Sequence, residues 1–291
     1  MELKHLLMPF LQLSLIMIVT SVGLLARWRD VRDVMRNVPL LGRAVIAVNV
    51  VVPVTAVIMC SLLPMEKPIK IGIVLMAISP LAPVLAARLA KAGVDTALAV
   101  GIDFALAVLA VIIVPLTLTL LSVIFPTTAS ISPLEVGKLV TIAILAPLAI
   151  GMAIHAASED FAKRLSKILL IVGLIGVLLG AFVILYMRIG AVLSLVGDGT
   201  LLAIATTISA GIAAGHFLGG PEKLTRLTVA LAAGLRFPGL AALIAKQNFR
   251  EPDVVLTIAL YLLTAMVLSL AYQVWMMKRS PPTAHAAPIA S

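Results

Sequence analysis

The chain has 291 residues, 62% of them hydrophobic and 12% charged, with a mean hydropathy of +1.18. That is more apolar surface than a soluble core of this length can hide, so soluble enzymes and nucleic-acid-binding domains are excluded and a lipid environment is required. The formal charge of +9 falls between the apolar stretches, where it reads as a topology signal rather than a nucleic-acid footprint.

Taken in chain order, apolar stretches long enough to cross a hydrocarbon layer of roughly 30 Å occur at 6–26, 44–64, 69–90, 96–125, 139–156, 168–187, 201–219, 227–245 and 254–277. They predict nine spans. The first exceeds a signal-peptide core, and Leu25-Ala26-Arg27-Trp28 is a poor cleavage site, so it is expected to be retained. Counted by alternate sides, fourteen of the 22 basic residues share one face, among them Arg27, Arg29, Arg32, Arg36, Arg43, Arg88, Lys163 and Lys167, while seven share the other. The positive-inside rule then puts the N-terminus outside and the C-terminus in the cytoplasm, as in a multi-pass inner-membrane protein. Arg27 to Arg43 are expected to meet anionic headgroups. Cys60 is the sole cysteine and reads as a small buried hydrophobe. Residues 1–280 form a single transmembrane unit, and the Pro- and Ala-rich tail 281–291 is expected to be a disordered cytoplasmic extension.

The segment Pro83-Val84-Leu85-Ala86-Ala87-Arg88-Leu89-Ala90-Lys91 matches Pro238-Gly239-Leu240-Ala241-Ala242-Leu243-Ile244-Ala245-Lys246 at six of nine positions, about half a chain apart. Each copy lies in a span and leads through a short polar turn into another. The copies fall in the third and eighth spans, which must cross in opposite directions. This predicts an all-α membrane protein with an inverted-topology repeat, the first half at 6–125 lacking its leading helix and the second at 133–277.

Ile78-Ser79-Pro80-Leu81-Ala82-Pro83 places two prolines in mid-span, which removes two backbone donors and breaks the helix. Unwound backbone at this depth is tolerated only against protein or a water-filled cavity. The eighth span is broken in the same way at Gly234-Leu235-Arg236-Phe237-Pro238-Gly239. An arginine in mid-span costs at least about 2.5–3.5 kcal/mol on insertion scales, so Arg236 should face the protein interior with a partner. Asp103, the acid buried well inside a span, is the expected partner, and the two are assigned a binding or gating role with Ser79, Pro80, Pro83, Phe237 and Pro238. Asn49, four residues before Pro53, needs a partner in lipid and is a further candidate. His216 lies in a Gly211, Gly215, Gly219 spacing that reads as a close-packing surface, as do Gly176 and Gly180.

Over nearly its whole length, through Val45 to Pro53, Ser79 to Pro83 and Gly234 to Leu240, the chain resembles the bile acid:sodium symporter family. Bacterial members have ten helices; this chain lacks the counterpart of the first, as mammalian members do. The resemblance implies a panel domain of the first, fifth and sixth spans rocking against a core, with the third and eighth spans crossing beside the substrate cavity. It also implies sodium sites, whose positions here fall on Val48, Pro83, Val84, Ala99, Asp103, Ala232 and Arg236. Almost every coordinating side chain is replaced.

A secondary transporter of a small or amphipathic organic anion is therefore expected, with no cofactor, with sodium coupling lost or altered, and with Arg236 standing where a cation would sit. The fork of Arg236 is consumed by Asp103 in one version and presented to the substrate in the other. A transporter-derived sensor, or an arsenite- or auxin-type permease of the same architecture, is the alternative. An intramembrane enzyme is disfavoured: Ser194-Leu195-Val196-Gly197-Asp198 lacks the first glycine of the aspartyl protease motif, and no HExxH or nucleotide loop is present. No nucleic-acid partner is expected, and the oligomeric state is not read from the sequence.

Overall fold

The computed structural model describes residues 2–82, 85–91, 97–124, 133–187, 190, 199–249 and 251–278. Among these the regular structure is helical, apart from one two-residue bridge. Six helices are long and apolar enough to cross a membrane: α3 (Val38–Leu62), α6 (Ala97–Ile124), α7 (Leu134–Ala157), α8 (Glu159–Met187), α9 (Thr200–Leu218) and α12 (Pro252–Lys278). A seventh is added if α1 (Glu2–Gly23) is counted with α2 (Trp28–Arg36), which turns off it by 82°.

The sequence reading treated Arg27 to Arg36 as a connection, whereas it forms the amphipathic helix α2. Val31 and Val34 are buried while Arg29, Arg32 and Arg36 stay exposed. A Cβ on Gly101 of α6 would lie 2.5 Å from a Val34 methyl and 2.8 Å from the Asp30 carbonyl, so α2 rests directly on the start of α6.

The third and eighth apolar stretches are each divided into two short helices, α4 (Lys67–Ile78) with α5 (Leu85–Lys91), and α10 (Lys223–Gly234) with α11 (Pro238–Asn248). At about 1.5 Å per residue none of the four reaches across a bilayer alone. Proline explains the divisions. An α-helix through Ser79 would need an N–H from residue 83, and one through Gly234 an N–H from residue 238, and both are prolines.

Helices α1, α7 and α8 pack on one another through small residues. A Cβ on Gly23 would lie 2.3 Å from the Leu148 carbonyl oxygen, and Gly173, Gly176 and Gly180 meet Ile18, Ser14 and Leu11 with similar closeness. Polar bonds fasten the same group: His155 Nδ1 donates to the Leu24 carbonyl at 2.7 Å, Ser166 Oγ donates to the Ser21 carbonyl at 2.9 Å, and Arg27 is paired with Glu159. Elsewhere α9 packs on α10 and α3, and α12 on α4. The expected glycine surface is present there. A Cβ on Gly215 would lie 2.4 Å from the Ala230 Cα, while His216 bonds the Tyr272 hydroxyl at 2.8 Å and packs against Trp275. Cys60 is fully buried.

Candidate functional site

The two breaks meet. Ser79 to Ala82 and Leu235 to Phe237 are extended and lie side by side, Leu81 opposite Arg236 in an antiparallel bridge. The Phe237 N–H donates to the Pro80 carbonyl at 2.9 Å, and the Ala82 N–H to the Leu235 carbonyl at 3.3 Å. Each broken helix thus satisfies polar groups that the other has freed, which is what unwound backbone at membrane depth requires. Pro83 and Val84 lie outside the described residues.

Arg236 extends this exchange. Its side chain is 1% exposed. Nη1 donates to the Ser79 carbonyl at 3.1 Å, and Nη2 donates to the Val48 carbonyl. Both acceptors are available for a local reason. The Ser79 carbonyl lacks its helical donor because residue 83 is proline. Val48 lies in a π-helical turn, Ile46–Val51, in whose i→i+5 register its carbonyl is matched to residue 53, again a proline. A guanidinium therefore occupies a point on which α3, the first break and the second break converge. Its Nε has no acceptor among the described residues. Close by, in electrostatic contact, is Tyr261 of α12, whose side chain is fully buried and whose hydroxyl has no partner.

Asp103 is not the partner of Arg236. It is buried on α6; the backbone N–H of Ala86 approaches its carboxylate, and neither oxygen completes a hydrogen bond among the described residues. Asp103 instead borders a cavity of about 20 Å³, large enough for a single water, together with Pro80, Leu81 and Phe237 of the crossing and with Val22 and Leu148 of the α1–α7–α8 group. The guanidinium instead gives both terminal nitrogens to two main-chain carbonyls that proline has left without their helical donors.

The remaining candidates divide. Ser79 is buried; its hydroxyl donates to the Leu75 carbonyl at 2.7 Å, so its contribution to the crossing is its own carbonyl. Ala99 and Ala232 are fully buried and Val48 nearly so, offering no polar side chain. Asn49 is half-buried on the π turn and borders neither cavity at the crossing. Phe237 and Pro238 reach a second, much larger cavity.

That cavity, of about 680 Å³, runs between the α1–α8 face and the face formed by α12 and the crossing. Leu15, Ile18, Leu174, Val177 and Leu262 give it apolar walls, Arg236, Phe237 and Pro238 close one end, and Lys163, Lys167 and Gln273 lie toward the other. Leu25 at the end of α1, Gln273 near the end of α12 and Lys163 near the start of α8 are among its lining residues. Arg88 of α5 is a fourth lining cation, and no described lining residue is acidic. Sequence reasoning passed over Arg88 and Tyr261. The first is read there only as one of the basic residues that share a face, and nothing in a lone tyrosine of an apolar helix marks it.

A family model described as the Sodium Bile acid symporter family matches residues 12–195. The match covers more than half of the chain, and the chain belongs to that family; it ends before the second break. No individual curated protein gives a match. The family, with six or more apolar helices, makes this a multi-pass membrane protein of the transporter kind rather than an enzyme.

Proposed function

We propose that this chain is a secondary transporter of an amphipathic organic anion that works by alternating access without sodium at the crossing. One observation carries this reading. The Arg236 guanidinium sits between the Ser79 and Val48 carbonyls, beside the end wall of a large, cation-lined cavity. A sodium ion placed there would meet a fixed positive charge at contact range, and in a poorly screened site that repulsion amounts to several kcal/mol. Arg236 supplies permanently what a bound cation would supply on each cycle, namely a positive centre tying three segments together.

In this reading the chain has nine spans, two of them the broken pairs, and the antiparallel sense of the Leu81–Arg236 bridge supports the inverted repeat. The α1, α7 and α8 group rocks as a panel against the rest, and the cavity is the cytoplasm-facing state. Its apolar walls and surplus of cations favour a ligand with a hydrophobic body and one anionic end.

The test is uptake into proteoliposomes of a labelled amphipathic anion, with an inward sodium gradient and with choline in its place. Equal rates support the reading. Strong sodium dependence sinks it. Counterflow of preloaded substrate separates a carrier from a membrane sensor, which would show none.

A further inference from the structure

We infer that Arg88, and not Arg236, holds the anionic head group of the ligand, making the large cavity a site for an amphipathic monoanion whose charged end docks on α5. The inference rests on the transport reading above and adds to it the residue that recognises charge.

The two arginines that line the cavity differ in what their guanidinium groups already do. Arg236 is 1% exposed and has each terminal nitrogen donating to a main-chain carbonyl, so its planar fork is turned to the crossing. Arg88 is half-buried and poorly served. Its Nη2 reaches the Met266 carbonyl at 3.4 Å, long for such a bond, and its Nη1 is shielded from solvent with no acceptor among the described residues. A guanidinium has five N–H donors in a planar fork suited to carboxylate or sulfonate, and one left this incomplete in a cavity wall is matched by an oxygen anion brought in from outside.

The surroundings hold that fork in place. Gln273 of α12 makes an equally long contact, 3.4 Å, to the Arg88 main-chain carbonyl, so α5 and α12 approach each other at this level. Lys163 and Lys167 stand toward the end away from the crossing and are exposed, and Lys163 is engaged by Glu159 at 2.9 Å. They suit attraction of an incoming anion rather than its capture. Arg88 follows the first break by a single turn, so an anion seated on it projects its apolar body along the walls toward Phe237 and Pro238, at the crossing whose movement alternating access requires. A second anionic charge would lack a comparable receptor, which favours monoanions.

A phospholipid headgroup offers the same anionic oxygen and could enter from the adjoining leaflet, so the test must tell the two sources apart. Titration calorimetry on protein in phosphatidylcholine nanodiscs would use cholate, decanoate and naphthalene-2-sulfonate, with methyl cholate as the uncharged control. The expected result is binding of at least one anion and none of the ester, weakened at least tenfold in Arg88→Gln and largely recovered in Arg88→Lys. Both variants should keep the wild-type thermal midpoint within a few degrees, so that a folding defect is distinguished from a lost ligand contact. Anion binding that is equal in wild type and Arg88→Gln overturns the assignment of Arg88 while leaving the transport reading intact. If none of the three anions binds or is taken up by wild type, the transport reading falls and this inference falls with it. If replacing part of the phosphatidylcholine with phosphatidylglycerol abolishes anion binding in wild type, and phosphatidylglycerol itself binds through Arg88, the site belongs to lipid and the substrate assignment is overturned.

Discussion

Leu81 and Arg236, 155 positions apart in the sequence, face each other across the antiparallel bridge that joins the two broken helices, and the Arg236 side chain then passes on to the Val48 carbonyl in a third segment. The main chain on either side of residue 236 and its side chain therefore do related work. The first supplies partners to backbone freed by the break, and the second to two carbonyls that a proline leaves without a donor.

Arg236→Ala should consequently be a stability mutation before it is a substrate mutation. It leaves the Ser79 and Val48 carbonyls without donors, at roughly 1–3 kcal/mol each. It also vacates a position ringed by carbonyl oxygens, the ligand type that hard cations prefer. The thermal midpoint of the variant should fall well below that of wild type in choline chloride and be partly restored by sodium chloride, whereas wild type should respond equally to the two salts. A variant as stable as wild type, or indifferent to sodium, would contradict the surrogate-cation role.

Asp103→Asn separates the observed geometry from the pairing that the sequence suggests. Removing one member of a buried ion pair typically costs 3–5 kcal/mol, but the Asp103 carboxylate has no cationic partner among the described residues, and Arg236 donates to main-chain carbonyls instead. The asparagine variant should keep or exceed the wild-type midpoint. A double-mutant cycle with Arg236→Gln should give a coupling below about 0.5 kcal/mol, the level expected of independent sites. A coupling of several kcal/mol would restore the ion pair.

The difference between these two residues shows what was legible in the sequence. Pro80, Pro83 and Pro238 announced both breaks, because a missing N–H is a property of the residue itself. The partner of Arg236 was not legible, because any residue carries a carbonyl; only the fold decides that Ser79 and Val48 lose their donors beside a guanidinium. Asp103 drew attention as the nearest acid by residue type, which is a weaker guide than backbone supply. Arg88 was legible only as one of the basic residues that share a face; the fold, not the residue type, puts it in the cavity wall. The glycine surfaces were legible, since spacing by four on a helix puts small residues on one face whatever the neighbour is.

Those surfaces can be tested by contrast. Gly215→Ala would bring a Cβ to 2.4 Å from the Ala230 Cα and 2.6 Å from its nitrogen, backbone that can yield only if α9 and α10 separate. A loss of about 1–3 kcal/mol is expected, the usual cost of overpacking. Gly42→Ala, exposed in the first turns of α3 with nothing within 4 Å, should instead be neutral or stabilise by up to about 1 kcal/mol through lower unfolded-state entropy. Guanidinium or thermal melts of the two variants in one detergent provide the comparison, and equal effects would show that α9 and α10 are not in such close contact.

The basic end of the large cavity sets a further expectation, on orientation. Cys60 is fully buried, so a membrane-impermeant thiol reagent should leave the wild-type chain unlabelled until it is denatured, providing a silent background. In that background Gln273→Cys and Leu174→Cys both place a thiol on the cavity, one near the end of α12 and one at mid-depth on α8. With the basic face in the cytoplasm, both should react in inside-out vesicles and neither in right-side-out vesicles while the cavity holds this conformation. A bound anion should slow the reaction at Leu174→Cys more than at Gln273→Cys, because an apolar body extending from Arg88 toward Phe237 passes the former and not the latter. Labelling confined to right-side-out vesicles would invert the topology, and labelling of both thiols from both sides at equal rates would mean that the two faces of the cavity are not alternately sealed.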